Sequence, residues 1–221
     1  MVALSQEEAH HALKVVRVRE GDRVALFDGQ GREGLGVAHC EGRKSVTVEV
    51  DELRMVDAWS PKLTLAVAWL HKEKAVEYII RHGTEVGVSR IVFFRGAHSE
   101  RAPKESHKWA RWAIETCKQC GRLDLPELMV MDDLAAVLDG CEGRVLLADM
   151  ENAAKPLAEV VDGPLTVFFG PEGDFSAQER ETLLGAGGVS VSLGEHTFRS
   201  EVAAVLLSGL VRAQQGFLGP V

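Results

Sequence analysis

Cysteine is scarce in this chain of 221 residues. The four present, Cys40, Cys117, Cys120 and Cys141, are too few and too scattered for a disulfide scaffold, so a reduced, cytoplasmic protein is expected. Long apolar runs are also missing. Leu63–Leu70 and Val202–Leu207 are among the longest, and none approaches the roughly 18–20 residues of a membrane span. The first residues, Met-Val-Ala-Leu-Ser-Gln-Glu-Glu, carry neither a basic nor an apolar leader segment, so no export signal is expected. No G-x-G-x-x-G opens a βα turn and no G-x-x-x-x-G-K-[ST] is found, which removes the usual phosphate cradles. H-E-x-x-H is absent, and Cys117-x-x-Cys120 has no second pair to complete a four-ligand zinc site. That pair reads as a redox motif or as two structural cysteines of one helix; no metal is expected.

Basic residues are in deficit overall, with 25 Lys and Arg against 33 Asp and Glu and a net charge of −8. The deficit is uneven. Residues 61–125 hold 12 basic against 7 acidic side chains, whereas residues 126–221 hold 5 against 15. A basic middle on an acidic protein is either a phosphate-facing stripe or clustering on solvated helices.

Apolar periodicity divides the chain near residues 57–61. Residues 1–60 read as a short helix capped by Ser5, then strands at Arg23–Phe27, Gly34–Cys40 and Ser45–Val50, a set small enough to close as a barrel. Residues 61–221 alternate strands (Lys62–Leu70, Arg90–Phe94, Val145–Ala148, Thr166–Phe169, Val189–Leu193) with helices (Ala75–Val86, Glu105–Cys120, Asp132–Leu138, Ser176–Leu184, Arg199–Gln215). That rhythm predicts an α/β domain with a largely parallel sheet covered on both faces.

Three segments carry candidate chemistry. In the first, a buried strand runs into Phe169-Gly170-Pro171-Glu172-Gly173 and a helix opens at Ser176. Loops at the carboxyl ends of parallel strands are where such sheets bind ligands, and the glycines admit close approach to backbone. The second is Leu193-Gly194-Glu195-His196-Thr197-Phe198-Arg199-Ser200-Glu201, where Arg199 opposes the dipole of the helix it begins. The third is a basic helix with Lys104, Lys108, Arg111, Lys118 and Arg122 beside Trp109 and Trp112, a mixture suited to phosphates and bases or simply to a core and a solvated face.

Taken together the motifs resemble one family. They are His10–Asp22 with Phe27-Asp28-Gly29; Lys72–Glu77 continuing to Thr84–Val88; Gln119-Cys120-Gly121-Arg122 with Pro126; Gly170–Gly173; and Leu193-Gly194 with Arg199-Ser200-Glu201. In this order along the whole chain they resemble the bacterial ribosomal RNA small-subunit methyltransferase E family, of the SPOUT superfamily, which methylates uridine N3 in 16S rRNA. The resemblance implies an N-terminal PUA-like RNA-binding barrel (residues 1–60). It implies a C-terminal SPOUT methyltransferase domain (residues 61–221) with a deep trefoil knot. A homodimer is also implied. S-adenosylmethionine would lie at Leu147, Ala148, Phe169, Gly170, Pro171, Gly173, Leu193, Gly194, Thr197 and Phe198. The small ribosomal subunit would be the partner, met through Arg17, Arg19, Lys104, Lys108, Arg111 and Arg122, with no membrane involved. Arg199 would stabilise charge on the uridine carbonyls, and Glu172 would act as base or as a structural acceptor of loop N–H groups. Departures from the family pattern occur at Lys118, Asp174, His196, Phe198, Ser200 and Val202. The alternatives are a ribosome-assembly binder without turnover and another nucleotide-using α/β enzyme.

Overall fold

A computed structural model describes residues 1–42, 44–149 and 156–218. It divides into two compact units, Met1–Ala58 and Trp59–Val221.

The first unit is an antiparallel sheet with a leading helix. Its strands are β1 (Val2–Ala3), β2 (Arg23–Phe27), β3 (Arg32–Glu41) and β4 (Ser45–Met55), in spatial order β1-β4-β3-β2. As hydrogen-bonded, the sheet is open, with β1 and β2 at its edges. Ser5 caps α1 (Gln6–His11) by accepting the Glu8 N–H. A π-helical turn over Ala12–Val16, not foreseen from the sequence, follows it and ends with Arg17 in the left-handed region. The core is small, built on Ala9, Ala38 and Val46 with Leu13, Val18 and Val24 against them.

The second unit is a six-stranded, wholly parallel sheet. Along the chain it comprises β5 (Leu63–Ala68), α2 (Glu73–Glu85), β6 (Arg90–Arg95), α3 (Lys108–Cys120), β7 (Glu127–Asp133) and α4 (Leu134–Asp139). These are followed by β8 (Arg144–Ala148), β9 (Leu165–Phe169), α5 (Ala177–Gly185), β10 (Val189–Val191) and α6 (Ser200–Gln214). The spatial order is β10-β8-β9-β5-β6-β7. The strand period of two splits each strand between two cores. Leu65, Val67, Phe93 and Val167 face α2, α3 and α6, whereas Ala66, Phe94, Leu147 and Phe168 face α4 and α5. Both faces being buried explains why these strands read as unbroken apolar runs.

Two sequence expectations change. β7 was not foreseen, because its apolar stretch is only Leu128–Met131 between acidic residues; it survives as an edge strand paired on one side by β6. The basic helix begins at Lys108 rather than Glu105, and Lys104 and Arg122 both lie outside it. Trp109 and Trp112 are buried in the α3-side core, so the indoles are structural.

Arg212 of α6 is fully buried. Its guanidinium donates to the Gly87 and Pro61 carbonyls, to Ser89 Oγ and to Gln215 Oε1, and it lies over the Phe217 ring. Burial, aided by the charge of Arg122, pulls it down to about 10. This cation ties the last helix to the backbone before β5 and β6. Arg212→Met keeps the length but leaves buried carbonyls without donors, at about 1–3 kcal/mol each. A loss of about 2–5 kcal/mol is expected in urea unfolding, with the midpoint lowered and the slope unchanged.

Candidate active site at the carboxyl edge of the parallel sheet

Strand order reverses around β5. The chain builds outward through β6 and β7, then crosses to add β8, β9 and β10 on the other side. Crevices at the carboxyl ends of strands beside such a reversal are the usual ligand sites of α/β sheets. A cleft of about 350 Å³ opens at the ends of β8, β9 and β10. Ala148 and Asp149 line it after β8, Phe169 to Glu172 and Asp174 after β9, and Val191 to Leu193 after β10. His196, Thr197 and Phe198 continue the wall, and Ser200 and Ala203 of α6 close it.

Of the predicted cofactor residues, this cleft brings together Ala148, Phe169, Gly170, Pro171, Leu193, Thr197 and Phe198, with Glu172 beside them. Leu147, Gly173, Gly194 and Arg199 are not among its lining. The Leu147 side chain is fully buried and faces α4 and α5, because alternation along β8 turns it away. Gly170 and Gly173 serve the loop itself. A Cβ on Gly170 would sit 3.0 Å from the Asp174 backbone, and one on Gly173 would sit 3.2 Å from His98 Cβ. Arg199 is exposed and extended, at the residue before α6 rather than within it, and its side chain makes no capping bond.

How this edge is held could not be read from the chain. Asp149 is almost wholly buried, and its carboxylate pairs with Arg180 of α5 and accepts from Ser190 Oγ at 3.5 Å. Arg180 also reaches Asp174 at 3.1 Å. Burial opposes the Arg180 charge, but the carboxylates of Asp149 and Asp174 outweigh it and raise its pKa above the ordinary value. Asp174 adopts φ 61°, a left-handed conformation that aspartate tolerates better than most side chains. His98, from the loop after β6, lies 3.0 Å from both the Gly173 and Asp174 carbonyls through Nδ1. Ser176 and Glu179 close a reciprocal cap at the start of α5, and Glu179 also accepts the Ala97 N–H at 2.8 Å. By contrast, among the described residues the side chains of Glu172, His196 and Arg199 have no hydrogen-bond or ion-pair partner.

The predicted RNA-binding residues separate. Arg17, Arg19 and Lys104 are exposed; Lys108 and Arg111 lie on the outer side of α3, paired with Glu73 and Glu115. Arg122 is a correction. Its side chain is 10% exposed and its guanidinium is committed to the Thr84 and Val88 carbonyls and Asp124, so it is structural. Cys117 is buried, and that burial pushes its thiol up to about 11, which disfavours the reactive thiolate there. Among the described residues no group of three or more His, Cys, Asp or Glu could hold a metal ion, and no helix is long and apolar enough to cross a membrane.

Comparison with known proteins agrees with this architecture. Residues 58–212 match the model of the RNA methyltransferase domain, and residues 4–51 match that of the RNA methyltransferase PUA domain. The chain belongs to the RNA methyltransferase family. Within it, the chain is 25% identical to the ribosomal RNA small subunit methyltransferase E of Bacillus subtilis, over 98% of this chain and 91% of the relative. It is 27% identical to the protein of the same name in Mycobacterium bovis, over 93% of this chain and 83% of the relative. The solved structure of the Neisseria gonorrhoeae protein of that name, bound to S-adenosyl methionine, superimposes with a TM-score of 0.83 at 25% identity, over 99% of this chain and 92% of that one.

Arg180→Met would strand the buried Asp149 carboxylate and release Asp174. Removing one partner of a buried pair costs about 3–5 kcal/mol. A fall in thermal stability is expected, with faster amide exchange confined to 149, 174–176 and 190. Unchanged exchange at all three places would show that the pair does not hold the cleft.

Proposed function

We propose that the protein is an S-adenosylmethionine-dependent methyltransferase acting on N3 of a uridine in 16S rRNA of the small ribosomal subunit. The observation that carries this reading is the cleft at the carboxyl ends of β8, β9 and β10 in a chain of the RNA methyltransferase family.

The residues present fit the cofactor. About 350 Å³ lies within the range of small-molecule sites. Phe169, Val191, Leu193 and Phe198 offer apolar surface for an adenine ring, and the backbone at Gly170 and Pro171 can read its edge. Glu172 brings a carboxylate that favours a cation. When bound, the cofactor supplies an electrophilic methyl group on a positively charged sulfur.

The remaining work falls to the protein. Losing the N3 proton spreads negative charge onto the flanking uridine carbonyls. The Arg199 guanidinium, which has no partner among the described residues, can meet that charge, and stabilisation of this kind is worth about 3–4 kcal/mol per preorganised group. The loops hold the reacting atoms in line and exclude water.

The finer architecture belongs to the same proposal. The first unit is read as a PUA-like RNA-binding barrel (residues 1–60) and the second as a SPOUT domain with a trefoil knot (residues 61–221). The crossing from β7 to β8 and back over β9 to β10 supports the knot. Leu206 and Leu210 make an exposed apolar stripe on α6, and Phe198 is exposed just before it. A second copy packed there would complete the cleft as a homodimer. RNA would meet Arg17, Arg19, Lys104, Lys108 and Arg111, in the cytoplasm where ribosomes are assembled.

Mass analysis of 16S rRNA after incubation of unmodified small subunits with protein and cofactor tests the reading. One added methyl on one uridine base is expected; none would leave a binding protein without turnover. Arg199→Ala should lower the single-turnover rate about a hundredfold or more while the protein stays folded and keeps its cofactor affinity.

A further inference from the structure

Methylating an imide nitrogen requires a proton acceptor, and the cleft holds few groups free to serve. Four titratable side chains line it: Asp149, Glu172, Asp174 and His196. Asp149 and Asp174 are both committed to Arg180. That leaves Glu172 and His196, which come from different loops, one after β9 and the other after β10. Neither side chain has a hydrogen-bond or ion-pair partner among the described residues.

Chemistry separates these two. Proton transfer is most effective from a group that exchanges near the working pH, and imidazole is the ordinary side chain that does so around neutrality. A solvated carboxylate is a much weaker base, and it is better suited to facing a permanent cation. The charged groups around His196 are the lining carboxylates Asp149, Glu172 and Asp174, with Glu195, Arg199 and Glu201 on its own segment.

We propose that His196 is the general base of this site and divides the labour with Glu172 and Arg199. The inference rests on the methyltransferase reading above and names the residue that takes the proton. The N3–H bond breaks and the proton passes to the unprotonated ring nitrogen of His196. The electron pair left on N3 forms the new bond to the methyl carbon, and the old carbon–sulfur pair returns to sulfur. His196 then loses its proton to solvent across the open mouth of the cleft, where it is exposed.

The test uses the full-length protein, S-adenosylmethionine and small ribosomal subunits lacking the modification. Single-turnover rates of the native protein should rise with pH and then level, as a base that must be unprotonated requires. His196→Gln should lower the plateau about a hundredfold or more and abolish that rise with pH. His196→Gly should behave alike and regain rate when free imidazole is added, a rescue that a merely structural residue would not show. Calorimetric affinity for S-adenosylmethionine, which does not depend on turnover, should change less than twofold in both variants. An active His196→Gln protein with the native pH profile would overturn the assignment while leaving the methyltransferase reading intact. Loss of cofactor binding in both variants would also overturn it, by making His196 a cofactor contact. A native protein that methylates nothing at any pH would overturn both.

Discussion

A carboxylate taken almost wholly out of water must be paired, and Asp149 is paired by an arginine from another element. The cleft's shape follows from that requirement. Asp149 follows β8, Ser190 lies in β10, and Arg180 comes from α5 and reaches back to Asp174 in the loop after β9. One ion network therefore fixes the ends of three strands together. His98 and Glu179 add a fourth, binding the loop after β6 to the same turn. A static rim of this kind lets backbone groups be presented to a ligand without ordering them on binding.

The division between committed and uncommitted charges gives the site its logic. Asp149, Asp174, Arg180, Glu179 and Arg122 are consumed by the framework. Glu172, His196 and Arg199, on or beside the cleft, have no side-chain partner among the described residues. Overall acidity is no obstacle to an RNA substrate, because the acidic excess is concentrated after residue 125.

Much of this was legible in the sequence, for definite reasons. Strands buried on both faces write continuous apolar runs, so β5, β6, β8 and β9 stand out. The turn after β9 announces itself through Gly170-Pro171-Glu172-Gly173 and the Ser176–Glu179 cap. What was hidden depended on contacts distant in sequence. The Asp149–Arg180 pair spans 31 residues and looks like two solvated charges until the fold closes it. Arg122 looked like a phosphate contact because its acceptors are backbone carbonyls 34 and 38 residues away, which leave no mark in the chain. The edge strand β7 lacked the apolar length that marks its neighbours. Gly170 was legible as a glycine but not in its purpose, which is to let the loop fold on its own backbone.

The central claim is that cofactor binding occurs at the edge made by β8, β9 and β10. Amide hydrogen exchange with and without saturating S-adenosylmethionine tests it most directly. Protection is expected at 148–149, 169–174 and 191–203, with the strands β6 and β7 unchanged. Protection centred on the ends of β5 and β6, or none despite measured binding, would contradict the account.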